Sequence, residues 1–137
     1  MMVILYITTA IVGFLVFIQF SMLRMAKKSK GLRLSGLSGQ MQNLEKKGSK
    51  GLVYFFSPGC HACKMQTPLI KSMQSEYKNI FDVDISKDFK TAQIFGIKAT
   101  PTTILVEDGV INQVLLGAKT KEVLENLISK LNLYTAS

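Results

Sequence analysis

Tryptophan is absent from this 137-residue sequence, histidine occurs once and cysteine only twice. Two cysteines exclude the multi-disulfide framework that staples small secreted scaffolds. Together with His61 they also fall short of the four ligands usual in a structural zinc site. A metal role would need half-sites bridged by two chains. Charge is missing from Val3 to Leu23, where Gln19 is the one strongly polar side chain. Acid is missing from residues 24–33, which hold Arg24, Lys27, Lys28, Lys30 and Arg33. That cluster supplies most of the formal net charge of +8; from residue 40 onward twelve lysines face nine acids, a net +3. A basic balance gathered beside an apolar run is poor support for nucleic-acid binding. It fits contact with anionic lipid head groups, or a plain solvated stop-transfer flank.

Roughly 20 apolar residues carry a helix across a bilayer, and residues 3–23 are long enough. A cleaved signal peptide has a basic start, a shorter apolar core and small residues at its cleavage site. The start here is Met-Met-Val, and Phe-Ser-Met-Leu-Arg is a poor cleavage sequence. Residues 1–23 are therefore read as an uncleaved transmembrane helix. The basic cluster follows it, and the positive-inside tendency places that side, with the rest of the chain, in the cytoplasm. An extracytoplasmic domain is the alternative. Residues 24–39 read as a basic flank and flexible linker, because Gly31 to Gln40 is rich in glycine and serine. Its spaced Leu32, Leu34 and Leu37 offer another outcome, packing on the membrane or on a sheet edge. A soluble domain over 40–133 and a tail over 134–137 complete the division.

The domain turns on Leu52 to Pro68. Leu52 to Phe56 is a continuous apolar run, as in a strand covered on both faces. Pro58-Gly59 is a turn, and a helix follows from Cys60 to about Tyr77, with Met65, Leu69, Met73 and Tyr77 four apart on one face. Pro68 lies inside it and predicts a kink. Both cysteines sit where turn becomes helix. The unpaired N–H groups and positive dipole end there favour a thiolate, the form that attacks disulfides. Two intervening residues let both thiols reach one face, so the pattern points to dithiol–disulfide exchange. Around this stretch the chain predicts a short helix over Gln40–Lys47 and a parallel strand over Ile80–Ile85. A helix over Lys87–Phe95 and two strands, Thr102–Val106 and Val110–Leu116, joined by Glu-Asp-Gly come next. Thr120 can cap a last helix with Val123, Leu124, Leu127, Ile128 and Leu131 in one stripe.

This order, from Gln40 to Leu131, resembles the thioredoxin family. Cys63-Lys64-Met65 followed by Pro68 is similar to the family's cysteine helix. Phe95-Gly96-Ile97-Lys98-Ala99-Thr100-Pro101-Thr102 is similar to its cis-proline segment, Asp108-Gly109 to its hairpin turn and Gly117-Ala118 to the glycine after its last strand. The resemblance implies an α/β thioredoxin-like fold, a mixed sheet of four or five strands flanked by helices, behind one transmembrane helix. It implies Cys60 as attacking thiolate and Cys63 as the shielded thiol that resolves the mixed disulfide. It also implies a cis Thr100–Pro101 bond beside the site, with the Thr100 backbone able to pair with an extended substrate. No organic cofactor or metal is implied, since the dithiol is itself the redox centre.

The departures carry their own expectations. The family usually has tryptophan before the first cysteine, and Gly59 stands there, which reduces the apolar rim. His61 follows Cys60 directly; a partly protonated imidazole there favours the thiolate and makes the pair more oxidising. The plain alternative is a solvated His61. The family's buried aspartate is replaced by Tyr54, and Asp82 takes the position of its usual lysine. Asp82 either supplies the displaced carboxylate or is a partly exposed strand residue. Lys64 adds positive potential near the site or is solvated surface. The function read from these residues is reduction of protein disulfides by a membrane-anchored enzyme. Its electrons would come from a thioredoxin-reductase-like enzyme, or from a transmembrane thiol donor if the domain lies outside. A disulfide oxidant or isomerase, and a non-catalytic binding or assembly module, are the rivals.

Overall fold

A computed structural model describes residues 1–132. The tail read over 134–137, and residue 133, lie outside the described residues. Strand β1 (Lys50–Phe56) holds the centre of a four-stranded sheet ordered β2-β1-β3-β4. It runs parallel to β2 (Ile80–Asp84) and antiparallel to β3 (Thr102–Glu107), which pairs antiparallel with β4 (Val110–Leu116). Helix α2 (His61–Glu76) makes the β1-to-β2 crossover, the connection that parallel neighbours require.

Side chains alternate across a strand, so the unbroken apolar run of β1 feeds two cores. Val53 and Phe55 join Val83, Phe95, Ile104 and Ile111 on one face. Leu52 and Tyr54 join Ile70, Met73, Leu124 and Ile128 on the other. The second face is covered by α2 and by α4 (Lys121–Leu131), whose buried stripe is Leu124, Leu127, Ile128 and Leu131; Val123 sits at its exposed margin. Helix α3 (Phe89–Ile94) is capped by Asp88, whose Oδ1 accepts the Thr91 N–H at 3.0 Å, and it starts two residues later than the pattern of Lys87–Phe95 predicts.

The hairpin between β3 and β4 has Asp108 at φ 56° and Gly109 at φ 74°, the two left-handed positions of a type I′ turn. A Cβ on Gly109 would collide with the Glu45 backbone carbonyl, so glycine is required there twice over.

Two expectations are corrected. The buried stripe of α2 is Cys63, Gln66, Ile70 and Met73, while Met65 is 76% exposed. Of the predicted face, Met73 is buried and Leu69 and Tyr77 pack against the second core from its margin, so the buried stripe is rotated toward Gln66 and Ile70 and leaves Met65 out. Gly31 to Gln40 is docked rather than slack. Leu34 and Leu37 are buried in the first core, and Gly31 N–H donates to Ile111 O at 2.8 Å while Leu34 N–H donates to Gly109 O at 2.8 Å. These bonds amount to an isolated bridge, Arg33 with Val110, rather than a fifth strand, and among the described residues the sheet has four strands. The segment over Gln40–Lys47 is a 3₁₀-helix, Gly39–Glu45, with Leu44 buried.

Helix α1 (Met2–Ser29) projects from this domain with Met2, Val3, Leu5, Phe14 and Phe17 all exposed. Its Met2–Ser21 portion is long and apolar enough to cross a membrane. Its C-terminal end reaches the domain, where Ser29 lies beside Gly96.

Candidate active site

The chain leaves β1 at Phe56, turns through Ser57-Pro58-Gly59 and enters α2. Cys60 N–H donates to Ser57 O at 3.1 Å, which closes the turn. Cys60 is the N-cap of α2, and its sulfur accepts the Cys63 N–H at 3.2 Å. The Cys60 sulfur thus sits against a backbone donor at the positive end of a four-turn helix, where the negative charge of a thiolate would be stabilised. Cys63 lies one turn in, 2% exposed, and is joined to Cys60 by a disulfide with Cα atoms 5.2 Å apart. Cys60 is half-buried, and His61 and Lys64 are exposed on the same first turns. Pro68 is exposed inside α2, which continues through it to Glu76.

The segment before β3 is brought to this turn. The Thr100–Pro101 bond is cis, and the Ser57 and Thr100 hydroxyls are 3.2 Å apart, one donating to the other. Gly117 N–H donates to Pro101 O at 2.9 Å, which ties the segment to the end of β4. Residues separated by roughly forty positions therefore share one end of the sheet, the end where β1 finishes and β3 begins.

Beneath the cysteines the sheet presents hydroxyls rather than a carboxylate. Tyr54 is fully buried, and its hydroxyl lies 3.0 Å from Thr67 Oγ1 and donates to Cys63 O at 3.4 Å. Burial pushes the Tyr54 phenol above its ordinary value; the Thr67 bond opposes this and the Asp82 charge adds to it. Asp82 stands opposite Tyr54 in the β1–β2 register, but its carboxylate points to the middle of α2. There it accepts from Lys71 Nζ at 2.8 Å and Gln74 Nε2 at 2.7 Å. Burial acts to raise the Asp82 pKa, but these two donors and the Lys71 charge outweigh it and hold the carboxyl below its ordinary range. Lys71 lies eight residues past Cys63, about 12 Å along the helix axis. The Asp82 carboxylate is thus engaged about two turns away from Cys63.

Gln66, Ser57 and Thr67 belong to the same constellation and have no signature in the sequence. Gln66 is buried, donates to Thr103 Oγ1 at 3.1 Å and accepts the Lys119 N–H at 2.8 Å. It locks the cysteine helix to β3 and to the loop after β4. Its position three residues after Cys63, on the buried ridge, is the one cue that could have marked it.

A hollow of about 300 Å³ opens beside Cys63, between Ser57, Pro58, Lys64, Thr67 and Pro68. A second, largely apolar hollow of about 230 Å³ starts at Thr100 and Pro101 and runs along β4 to Ser29; neither cysteine lines it. Among the described residues no group of three or more His, Cys, Asp or Glu side chains is placed to hold a metal.

Two sulfurs in bonding contact at a helix start can cycle between dithiol and disulfide, moving two electrons and two protons. A sheet-and-helix fold with such a pair defines the class of thiol–disulfide oxidoreductases built on the thioredoxin fold. The family model described as Thioredoxin matches residues 39–130, and the chain belongs to the thioredoxin family. It is 40% identical over 81 residues to a thioredoxin of Chlamydia muridarum, covering 58% of this chain and 79% of that one. It is 30% identical over 94 residues to a thioredoxin of Bacillus subtilis, covering 65% and 90%. The solved structure of reduced Schistosoma mansoni thioredoxin pre-protein is similar at a TM-score of 0.57 and 32% identity, covering 69% of this chain and 91% of that one. The activity of this chain is thiol–disulfide oxidoreduction at Cys60 and Cys63.

Proposed function

We propose that the chain is a membrane-anchored protein-disulfide reductase, held by α1 and working through its Cys-His-Ala-Cys dithiol. Cys60 is the nucleophile: as a thiolate it attacks a substrate disulfide, releases one substrate sulfur as thiolate and forms a mixed disulfide. Cys63 then displaces the second substrate sulfur and closes the Cys60–Cys63 bond. The observation that carries this reading is the unequal placement of the two sulfurs. Cys60 caps the helix and accepts a backbone N–H, while Cys63 is buried one turn in. The Thr100 backbone beside cis-Pro101 is where an extended substrate would pair. The dithiol is regenerated by a thioredoxin-reductase-like donor if the basic flank over 24–33 lies in the cytoplasm, and by a transmembrane thiol donor if the domain is extracytoplasmic.

The reduction potential of the full chain in detergent, measured against a glutathione couple, tests the direction of electron flow. A value near about −270 mV supports a reductase; one at about −180 to −120 mV makes the protein an isomerase or oxidant. The exposure of His61 next to Cys60 is what favours that second reading. Labelling of the reduced protein with a membrane-impermeant maleimide, before and after lysis of cells, tests the side. Labelling only after lysis supports the cytoplasmic placement.

A further inference from the structure

We propose that the substrate is a disulfide held close to the bilayer surface, in the first turns of an integral membrane protein beyond its span. This rests on the anchored reading above and restricts which disulfides the site takes. The apolar hollow that begins at Thr100 and Pro101 is walled at its far side by Ser29, the last residue of α1. The rest of the wall is mostly apolar, with Ile97, Val114 and Leu116 alongside Lys98, so the hollow suits an apolar side chain flanking the reducible cysteine. Thr100 is also the residue hydrogen-bonded to Ser57 in the cysteine turn, so one end of the hollow adjoins that turn.

The anchor sets where this hollow lies. A helix rises 1.5 Å per residue, so Met2–Ser21 spans about 30 Å, the thickness of the hydrocarbon core. Ser29 lies eight residues on, about 12 Å farther along the helix. The head-group layer takes about 5–7 Å of that on each side. The hollow therefore opens within a few ångströms of the head groups, and any tilt of α1 brings it closer. The edge of the domain is tied to this position: Gly31 and Leu32 exchange backbone hydrogen bonds with Ile111 immediately after the helix ends. No slack segment remains between Ser29 and the sheet to let the site swing far out, and a substrate must come to the surface to reach it. The geometry holds on either side of the membrane.

Each turnover opens one substrate S–S bond, transfers two electrons from the Cys60–Cys63 dithiol and leaves the Cys60–Cys63 disulfide; a dithiol donor restores it. The test uses the full chain, reduced beforehand, in vesicles of phosphatidylcholine and phosphatidylglycerol. Single-span peptides in the same vesicles carry one cysteine in mixed disulfide with a fluorescent thiol. Stiff helical spacers place it about zero, eight, sixteen or twenty-four residues from the span. Fluorophore release should be fastest at about eight residues and at least about tenfold slower at twenty-four, because a stiff spacer that cannot meet the site loses its effective concentration. Inserting two helical turns between Leu23 and Arg24 should move the optimum outward by about seven residues while leaving reduction of a small soluble disulfide unchanged. A flat ladder, or an optimum that stays put in a variant still active on the soluble disulfide, overturns the proposal while anchoring stands. Loss of the protein from the vesicles on alkaline washing overturns the anchored reading and this inference with it. The ladder on the unaltered chain decides the matter if the insertion does not fold.

Discussion

Cys60 and Cys63 are the same residue one helical turn apart, and the fold gives them different surroundings. Cys60 is half-buried at the helix cap with a backbone N–H donated to its sulfur. Cys63 is 2% exposed, and its ridge continues into Gln66, Ile70 and Met73 against the sheet. The first residue is partly open to solvent and the second is closed off from it. Position on a helix start, rather than residue type, gives two identical residues these different surroundings, and the proposed division into an attacking and a resolving thiol rests on that difference.

The largest test of that asymmetry is to remove each sulfur in turn. Cys60→Ser should lower reductase turnover by about a thousandfold or more, because no second thiol is placed to attack. Cys63→Ser should also stop turnover, yet it should accumulate a mixed disulfide of Cys60 with substrate, visible by mass spectrometry. If neither variant traps substrate, or only Cys60→Ser does, the assignment of roles is wrong.

The buried end of the turn can be loosened next. Gln66→Leu removes the donor to Thr103 and the acceptor for Lys119 N–H, leaving that N–H without its partner. It should cost about 1–3 kcal/mol, read as a lower midpoint in thermal unfolding. A midpoint within experimental error of the parent would show that Gln66 does not hold the helix.

Tyr54→Phe is a smaller step, about 1 kcal/mol, since it removes one hydroxyl bonded to Thr67 and to the Cys63 carbonyl. Its pH signature follows from the sign of the shift. The folded phenol titrates above the ordinary 10.0, so the unfolded chain loses that proton first. Stability supplied by the neutral phenol is present below pH 10 and is lost as pH rises through the folded value. Alkaline titrations of stability should show this loss in the parent and not in Tyr54→Phe.

Asp82→Asn should have the smallest effect, about 1 kcal/mol or less, because Lys71 is itself largely exposed while the Asp82 side chain is 20% exposed. The folded carboxyl titrates below 3.8, so the contribution of the pair is full above that value and disappears as pH falls through the folded pKa. The disulfide reduction rate and its pH profile should stay within about twofold of the parent, a change of under about 0.5 kcal/mol in the barrier. A tenfold loss of rate would instead place Asp82 in proton transfer to Cys63 and remove the difference in environment drawn above.

Much of this molecule is written in short-range patterns. The continuous Leu52–Phe56 run, the Pro58-Gly59 turn, the cysteine spacing and the Asp108-Gly109 hairpin each report a local backbone requirement, and each element formed where its pattern lies. Side-chain partners were harder to read. The Met65 spacing is regular, and Met73 on it is buried while Met65 is exposed, since periodicity finds a ridge and not how much of it the sheet covers. The glycines and serines of residues 31–40 describe a pliable backbone, while Leu34 and Leu37 supply the burial that pins it. Gln66 and Ser57 gain meaning only from Thr103, Lys119 and Thr100, which lie far along the chain.

Composition and local order were thus enough to locate an apolar helix, an α/β domain and a dithiol at a helix start. These depend on backbone preferences and on hydrophobic spacing within a few turns. Packing alone assigned the Asp82 carboxylate to Lys71, put the Tyr54 hydroxyl under Cys63 and seated Ser29 at the rim of the Thr100–Pro101 hollow. Those juxtapositions join residues from separate elements, and they exist only once the sheet has set the distances between them.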